Sequence, residues 1–399
     1  MADAKERILD QINDLLDTPE QYWLLGAGIS KEAGIPLMNT LTDHIQSLLD
    51  DEYSRMYTEI RENISQNANV EDILSHIGDL IAIAERSREG QVNFNGTEYS
   101  IEYLQNFHSE IQTRIRNVVR FGFKKVDGGS NEVGESENPI VDVKNHLTFV
   151  KALFDERRAG FNRRPPIKFF TTNYDTLLED AFALNKIKYV DGFSGGAMAH
   201  WNPEVYQEAN SYNIDAELYK LHGSIDWFVN EKEIVVRRRE GAKYPDENSS
   251  RLLIYPQATK YMITRKDPFA NLFSIFRDSL YTEKSTILGI CGYSFSDEHI
   301  NEEINQIMSI NGNSLTIIAF VKQDGDKLQE QDKGLPKQIY QWLNSEDLNW
   351  RDRLIVATDH GLYQGNLENQ LPVEGDNTHS WWKFSGLTDL LKNGPEALV

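Results

Sequence analysis

The sequence predicts an α/β protein whose core is a parallel, doubly wound sheet with a large helical insertion. Short apolar runs of the kind that form buried strands recur along the chain, and helix-like stretches separate several of them. The first run passes directly into a glycine-rich turn, which marks the end of a strand. The strand-like runs are residues 22–25, 167–172, 188–190, 286–290, 315–321 and 354–357.

The stretch between the first two strand-like runs has a helical rather than a strand period. Apolar residues lie three and four positions apart in several stripes, one of which is formed by Ile111, Ile115 and Val119. A segment rich in Gly, Ser and Glu at residues 126–138 indicates an exposed loop within this stretch. The predicted units are a core from residues 1–36 and 159–365, a helical insertion from 37–158 and a C-terminal segment from 366–399.

The composition narrows the possible functions. The 399 residues carry 41 Lys and Arg against 62 Asp and Glu, a net charge of −21, which argues against direct binding to a nucleic-acid backbone. The single cysteine, Cys291, excludes intramolecular disulfides and a Cys-rich zinc module. The first residues are charged at helical spacing, unlike a signal peptide, and no apolar run approaches the ~20 residues of a membrane span. We therefore expect a soluble, cytoplasmic protein that holds no metal.

The turn after the first strand-like run is the first candidate ligand site. Gly26 and Gly28 let the backbone approach a pyrophosphate, and the helix start predicted after them would present backbone N–H groups to an anion. Ser30 could donate its hydroxyl or cap that helix. Lys31 stands where the dinucleotide fingerprint requires a third glycine, so an ordinary dehydrogenase site is not predicted. A tight turn without a ligand is an equally good interpretation of these residues alone.

Two further elements carry polar side chains that could take part in catalysis. Asn173 and Asp175 follow a buried strand-like run, at the edge where open parallel sheets bind ligands. Capping of the helix predicted from Thr176 is the alternative role for one of them. His222, followed by Gly223, could take a proton near neutral pH, although a lone histidine is more often structural.

A second junction of strand, glycine and helix follows the run at 286–290. Gly292 and Ser294 could hold the far half of a dinucleotide there. We predict Ser296 as the N-cap of the next helix, with Asp297 and Glu298 in its first turn.

In this order, the four elements resemble the sirtuin family. The resemblance covers residues 22–36 and 164–321 and implies a Rossmann-like core that binds NAD as a substrate, with a helical insertion between its first two strands. The matching segments are Gly26-Ala27-Gly28-Ile29-Ser30, Gly34-Ile35-Pro36, Thr172-Asn173-Tyr174-Asp175, His222-Gly223 and Gly292-Tyr293-Ser294.

The resemblance implies a role for each matching residue. Asn173 would hold the nicotinamide ribose and an attacking water, Asp175 would hold the carboxamide, and His222 would act as general base at the ribose. Ile35 and Pro36 would wall the nicotinamide pocket. The other implied contacts are to the pyrophosphate, from Gly26, Ala27, Gly28 and Ser30, and to the adenosine side, from Gly292 and Ser294.

This chain departs from that family in the features that would handle a peptide substrate, rather than in those that would bind the cofactor. Its protein deacylases usually carry a four-cysteine zinc module after the His-Gly element, whereas this chain has one cysteine in all. The segment 252–257, expected to pair with an acyl-peptide strand, contains Pro256, which has no N–H to donate. The sequence therefore predicts that NAD handling is retained and peptide handling is lost.

This combination resembles the sirtuin-like NAD-hydrolysing effectors of bacterial antiphage defence. The segments 170–175 and 219–224 are especially similar to the sirtuin-like subunit that is paired with a HerA-type hexameric ATPase. The resemblance implies an NAD hydrolase that releases nicotinamide and ADP-ribose, forms a homo-oligomer and assembles with such an ATPase.

Other functions remain open at this point. A module that senses NAD or ADP-ribose would be stabilised by its ligand but would release no nicotinamide. A protein deacylase would consume NAD only together with a peptide. A nuclease is not supported, because the sequence has no metal-ligand cluster and the charge is unfavourable.

Overall fold

The computed structural model describes most of the chain. The described residues are 2–66, 68–124, 132–157, 164–208, 214–230, 234–238, 251–254, 267–373 and 378–394. The strands are β1 (Glu20–Leu25), β2 (Gln91–Phe94), β3 (Thr97–Ser100), β4 (Phe123–Lys124), β5 (Glu132–Val133), β6 (Ile167–Thr171), β7 (Tyr189–Val190), β8 (Phe193–Gly195), β9 (Met198–Trp201), β10 (Ala216–Lys220), β11 (Gly223–Val229), β12 (Val235–Arg238), β13 (Arg251–Ile254), β14 (Thr286–Cys291), β15 (Leu315–Val321), β16 (Leu354–Thr358) and β17 (Gly361–Gln364). The α-helices are α1 (Ala2–Leu16), α2 (Met38–Leu48), α3 (Asp51–Asn63), α4 (Val70–Arg86), α5 (Ile101–Phe121), α6 (Lys144–Lys151), α7 (Leu177–Leu184), α8 (Glu204–Glu208), α9 (Phe269–Leu280), α10 (Glu298–Met308), α11 (Lys337–Asn344) and α12 (Phe384–Asn393).

The largest feature is an eight-stranded sheet in the order β17-β16-β15-β14-β1-β6-β10-β7. Its neighbouring strands are parallel except for the pair of β16 and β17 at one edge. From β1 the chain builds one side of the sheet, through β6, and later returns to place β14 on the other side of β1. The strand order reverses between β1 and β14, and open α/β sheets bind ligands beyond the carboxyl ends of their strands at such a point. The predicted parallel, doubly wound sheet is confirmed.

Apolar side chains cover both faces of this sheet. In β1, Leu24 packs into the core on one face, while Trp23 and Leu25 pack into the core on the other. This alternation follows from the two-residue period of a strand. Since both faces are buried, the strands have nearly continuous apolar sequences, which is why their positions could be predicted.

The helices α2 to α5 form a separate apolar core, with the hairpin of β2 and β3 beside them. Ile60, Ile77 and Ile111 are fully buried in it, and this confirms the predicted helical insertion. The same core also contains Tyr174 and Leu177, which belong to the loop after β6 and to α7. The insertion therefore packs directly against a segment that the sequence analysis singled out as functional. The predicted boundaries between units remain predictions.

Four further points relate the structure to the expectations from the sequence. A five-stranded sheet, ordered β13-β11-β12-β9-β8, was not predicted. The first residues, which are charged at helical spacing, form α1, whose apolar face packs with α12 on one side of the large sheet. Pro256 lies outside the described residues, so the predicted loss of peptide pairing at segment 252–257 stays a prediction. No helix in the described part of the chain has the length and apolar character that a membrane span requires.

Candidate active site

Two glycine turns interlock at the carboxyl ends of β1 and β14. The backbone N–H of Gly26 donates to Cys291 O at 3.0 Å, and that of Gly28 donates to Gly292 O at 2.8 Å. A Cβ atom on Gly26 or Gly28 would lie 2.6 Å from backbone atoms of Gly292, and Gly292 itself has a φ of +67°. Only glycine allows these two backbones to approach so closely, and here that approach brings the turns together at the switch point of the sheet.

The first turn differs from the one predicted. A single 3-10 turn, Ala27–Ser30, follows β1, and the next α-helix begins only at Met38, so the predicted helix start is wrong. The N–H groups of Gly26 and Gly28 already donate within the protein. Ala27 is exposed at this turn. A phosphate could therefore pass close to the turn, but without the field of a long helix behind it.

Ser30 joins the first element to the second. Its hydroxyl donates to Asp175 Oδ2 at 2.7 Å and accepts from Asn173 Nδ2 at 3.0 Å. Asp175 Oδ1 accepts from the N–H of Leu177 at 3.1 Å, so this carboxylate also satisfies the start of α7. The structure thus brings together three residues that are 143 and 145 positions apart. All three are buried, with Asn173 and Asp175 each 6% exposed.

Asn173 has one polar atom that the fold leaves unused. Its backbone N–H donates to Thr171 Oγ1 at 3.0 Å and its Nδ2 donates to Ser30, whereas Oδ1 is buried without a hydrogen-bond partner among the described residues. Leaving a buried acceptor unsatisfied costs roughly 1–3 kcal/mol, and such an atom calls for an explanation. A donor supplied by a substrate hydroxyl or a water would satisfy it.

His222 lies at the same edge of the sheet as Asn173. In the parallel pair of β6 and β10, Thr171 is in register with Lys220, and the N–H of Leu221 donates to Thr171 O at 2.8 Å. Asn173 lies two positions after Thr171, and His222 lies two positions after Lys220. The two strands that end there are roughly 5 Å apart. Gly223, with a φ of +84°, then turns the chain into β11. The register of β6 and β10 therefore places Asn173 and His222 at corresponding positions beyond the ends of the two strands.

His222 contacts a carboxylate from the fourth element. Its Nε2 lies 3.0 Å from Asp297 Oδ2. Asp297 Oδ1 accepts from the N–H groups of His299 and Ile300 at 3.1 and 3.4 Å, which makes Asp297 the N-cap of α10. The prediction of Ser296 as the cap is therefore wrong. Two good capping residues stand side by side there, and nothing in the sequence indicates which one faces the helix.

Buried lysine and tyrosine side chains hold the loop after β6. Lys220 Nζ donates to the backbone O of Asp175 and to Glu179 Oε1, the latter at 2.9 Å. The hydroxyl of Tyr174 donates to Glu71 at the start of α4, and burial raises the pKa of Tyr174. Neither Glu71 nor Lys220 was recognised from the sequence, because their partners are distant along the chain.

The remaining predicted site residues lie around this centre. Ile35 is buried in the core of the insertion, where Tyr174 also packs, and Pro36 is half-buried. Ser294 is exposed, and its hydroxyl shares a 2.7 Å hydrogen bond with that of Ser296. No group of three or more His, Cys, Asp and Glu side chains that could hold a metal was found in the described ranges.

Comparisons with known proteins give one family match. Residues 167–348 match the model described as the SIR2-like domain, and no curated protein matches the chain. Similar solved structures include a SIR2 homologue in complex with NAD, at 13% identity over 78% of this chain and 81% of that one, with a TM-score of 0.37. Two complexes of mutant Sir2 homologues with ADP-ribose have 13% and 14% identity, cover 80% of this chain and 85% of theirs, and have TM-scores of 0.36. The matched residues begin with β6 and include Asn173 and His222. Residues 167–348 are therefore similar to the SIR2-like domain.

Proposed function

We propose that this protein hydrolyses NAD to nicotinamide and ADP-ribose. The observation that carries the proposal is the placement of Asn173 and His222 at corresponding positions just beyond the carboxyl ends of the neighbouring parallel strands β6 and β10, near the point where the strand order reverses. The unsatisfied Oδ1 of Asn173 supports it, because that atom can accept a hydrogen bond from a ribose hydroxyl or a water. The SIR2-like domain includes both residues.

The reaction needs little more than positioning and one base. The C–N bond between the ribose and the nicotinamide ring breaks, and its electron pair neutralises the cationic ring nitrogen. A water held by Asn173 attacks the sugar carbon as positive charge develops there, forming the new C–O bond. His222 takes the proton of that water, directly or through a ribose hydroxyl. Help from a general base is typically worth ~100- to 10,000-fold in rate.

The dinucleotide would lie across the two glycine turns. Its pyrophosphate would pass over Gly26, Ala27 and Gly28, and its adenosine would extend towards Gly292 and Ser294. An ionised carboxylate has about four acceptor positions, so Asp175 could receive the nicotinamide carboxamide in addition to its present donors. Ser30 would fix the orientation of that carboxylate, since its hydroxyl already donates to it. Ile35 and Pro36 would complete the walls around the nicotinamide.

A defence role is the finer part of the proposal. An enzyme that depletes NAD would harm its own cell unless it stayed idle, so its activation would come from assembly. The similarity of segments 170–175 and 219–224 to the sirtuin-like subunit of HerA-paired systems supports a homo-oligomer that acts with a HerA-type ATPase. Nicotinamide release measured with and without that ATPase, together with sedimentation of both mixtures, tests this part.

The activity is tested by chromatography of NAD incubated with the purified protein, with and without the ATPase. We expect Asn173→Ala and His222→Ala to lower nicotinamide release ~100- to 10,000-fold. His200→Ala is the matched control, because His200 is exposed on β9 of the second sheet. Full release by His222→Ala would contradict the assignment of the base. Thermal stabilisation by NAD without any release would favour a sensor, and release only with an acyl-peptide would favour a deacylase.

A further inference from the structure

We propose that Asp297 is a positioning residue that orients the imidazole of His222 for catalysis. This inference rests on the proposed function and extends it to a residue that sequence reasoning placed only in the first turn of a helix. Asp297 reaches the site from the junction of β14 and α10, whereas His222 follows β10. The contact between them therefore joins the two sides of the strand-order reversal.

The two carboxylate oxygens of Asp297 make different contacts. Oδ1 accepts from the first N–H groups of α10, and Oδ2 lies 3.0 Å from His222 Nε2. The side chains of His222 and Asp297 are 9% and 8% exposed, so the contact is largely removed from water and is less weakened by solvent than a surface pair. At this distance a protonated Nε2 can donate to the carboxylate, and catalytic hydrogen bonds often tighten only when substrate binds.

The turn that carries Asp297 is held in an unusual conformation. Phe295 has a φ of +58°, a backbone conformation that is unfavourable for a bulky residue. Asn301 Nδ2 donates to Phe295 O at 2.8 Å, and the hydroxyl of Tyr293 donates to Asp297 O at 3.2 Å. A backbone strained in this way persists only where its surroundings fix it, and such positions cluster at functional sites. Here the strained turn places the carboxylate of Asp297 next to the imidazole of His222.

The chemical consequence concerns which ring nitrogen is basic. A carboxylate that accepts from Nε2–H fixes the neutral tautomer in which Nδ1 can take a proton. The same carboxylate stabilises the imidazolium once the proton has been transferred. His222 would therefore act through Nδ1, and loss of the carboxylate would leave the ring free to rotate or to change tautomer.

The capping role can be separated from the positioning role by substitution. Asparagine and serine both cap helices nearly as well as aspartate. Ser cannot reach His222 with a second oxygen, and an asparagine that caps through its oxygen presents an NH₂ group to the imidazole. Asp297→Asn and Asp297→Ser should therefore keep the helix but lose the acceptor. Asp50→Asn is the matched control, because Asp50 is an exposed N-cap of α3 in the insertion.

The kinetic test measures nicotinamide release by these variants. We expect kcat to fall ~10- to 100-fold in both Asp297 variants, less than on removal of the imidazole, with KM changed by no more than about threefold. Adding Asp297→Asn to His222→Ala should cause no further loss, because the carboxylate acts through the ring. Unchanged kcat in both variants, or a full additional loss in the double variant, would overturn the proposal.

A second readout does not depend on turnover. Nuclear magnetic resonance of isotope-labelled histidine reports which ring nitrogen carries the proton, and the His222 signals are those that disappear in His222→Ala. We expect a proton on Nε2 in the unsubstituted protein and a weaker preference in Asp297→Asn. A proton on Nδ1 in the unsubstituted protein would overturn the inference. Absence of nicotinamide release together with the expected tautomer would count against the proposed function alone.

Discussion

Replacing Lys220 by methionine should destabilise the protein by about 3 kcal/mol. Lys220 is buried in β10, two residues before His222, and its ammonium group lies 2.9 Å from Glu179 Oε1. The same group donates to the backbone O of Asp175. The substitution retains most of the volume of the side chain and removes both interactions, so its effect reports the charge rather than packing.

The magnitude follows from the burial of both partners. Removing one member of a buried ion pair usually costs roughly 3–5 kcal/mol, because the other is left as an uncompensated charge. Burial raises the pKa of Glu179, and Lys220 works in the opposite direction. Without Lys220 the carboxyl group can take up a proton instead of remaining charged, which limits the loss. We therefore expect the lower end of that range.

Urea unfolding followed by circular dichroism and tryptophan fluorescence provides the measurement. Glu179→Gln in the Lys220→Met background should recover at least about 1 kcal/mol, since no buried charge is then left unpaired. Lys284→Met is the control, because Lys284 pairs with Glu20 from an exposed position. A free energy of unfolding for Lys220→Met within about 0.5 kcal/mol of the unsubstituted protein would refute the reasoning, as would strict additivity with Glu179→Gln.

Three other substitutions test the core, the insertion and the glycine turns. Tyr174→Phe should cost about 1–3 kcal/mol in thermal unfolding because it removes a buried hydrogen bond to the carboxylate of Glu71, whereas Tyr281→Phe, at an exposed position, should cost nothing measurable. Burial lowers the pKa of His146 from 6.5 to about 4, so the folded state takes up this proton less readily and unfolding free energy should fall by up to about 3 kcal/mol between pH 6.5 and 4. His146→Phe should remove that component of the pH dependence, and an unchanged profile would contradict the assignment. Gly28→Ala should destabilise by about 1–3 kcal/mol through a clash with the facing turn, whereas Gly78→Ala, with open space in α4, should be neutral or stabilising; equal effects would contradict the interlocking of the turns.

Most of the strands that the sequence predicted are buried on both faces by apolar residues; the half-buried edge strand β7 is the exception. β10 escaped prediction because it contains Glu217 and Lys220, which resemble residues of a solvent-exposed segment. Both are buried and paired: the hydroxyl of Tyr219 donates to Glu217 at 2.7 Å, and Lys220 pairs with Glu179. A charged residue can be buried in a core strand when a partner pairs with it. The periodicity of the sequence does not show that partner. The second sheet was missed because its strand order depends on pairing between distant segments.

At the candidate site, the sequence likewise does not predict individual hydrogen bonds between distant residues. Glycine turns and a polar segment after a strand indicate where a ligand binds, and both could be recognised locally. The bond from Ser30 to Asp175 spans 145 positions, and no spacing rule predicts it. The choice between Ser296 and Asp297 as the helix cap was likewise undecidable, because both types cap well and only the fold brings His222 beside one of them.

The central claim is that NAD lies across the carboxyl edge of the large sheet with its scissile sugar between Asn173 and His222. The most direct test is a structure of the His222→Ala variant determined with NAD, since slow turnover should preserve the intact dinucleotide. The account predicts the nicotinamide ribose in contact with Asn173 Oδ1 and the pyrophosphate over the two glycine turns. A dinucleotide bound elsewhere, with Asn173 Oδ1 still lacking a donor, would contradict it.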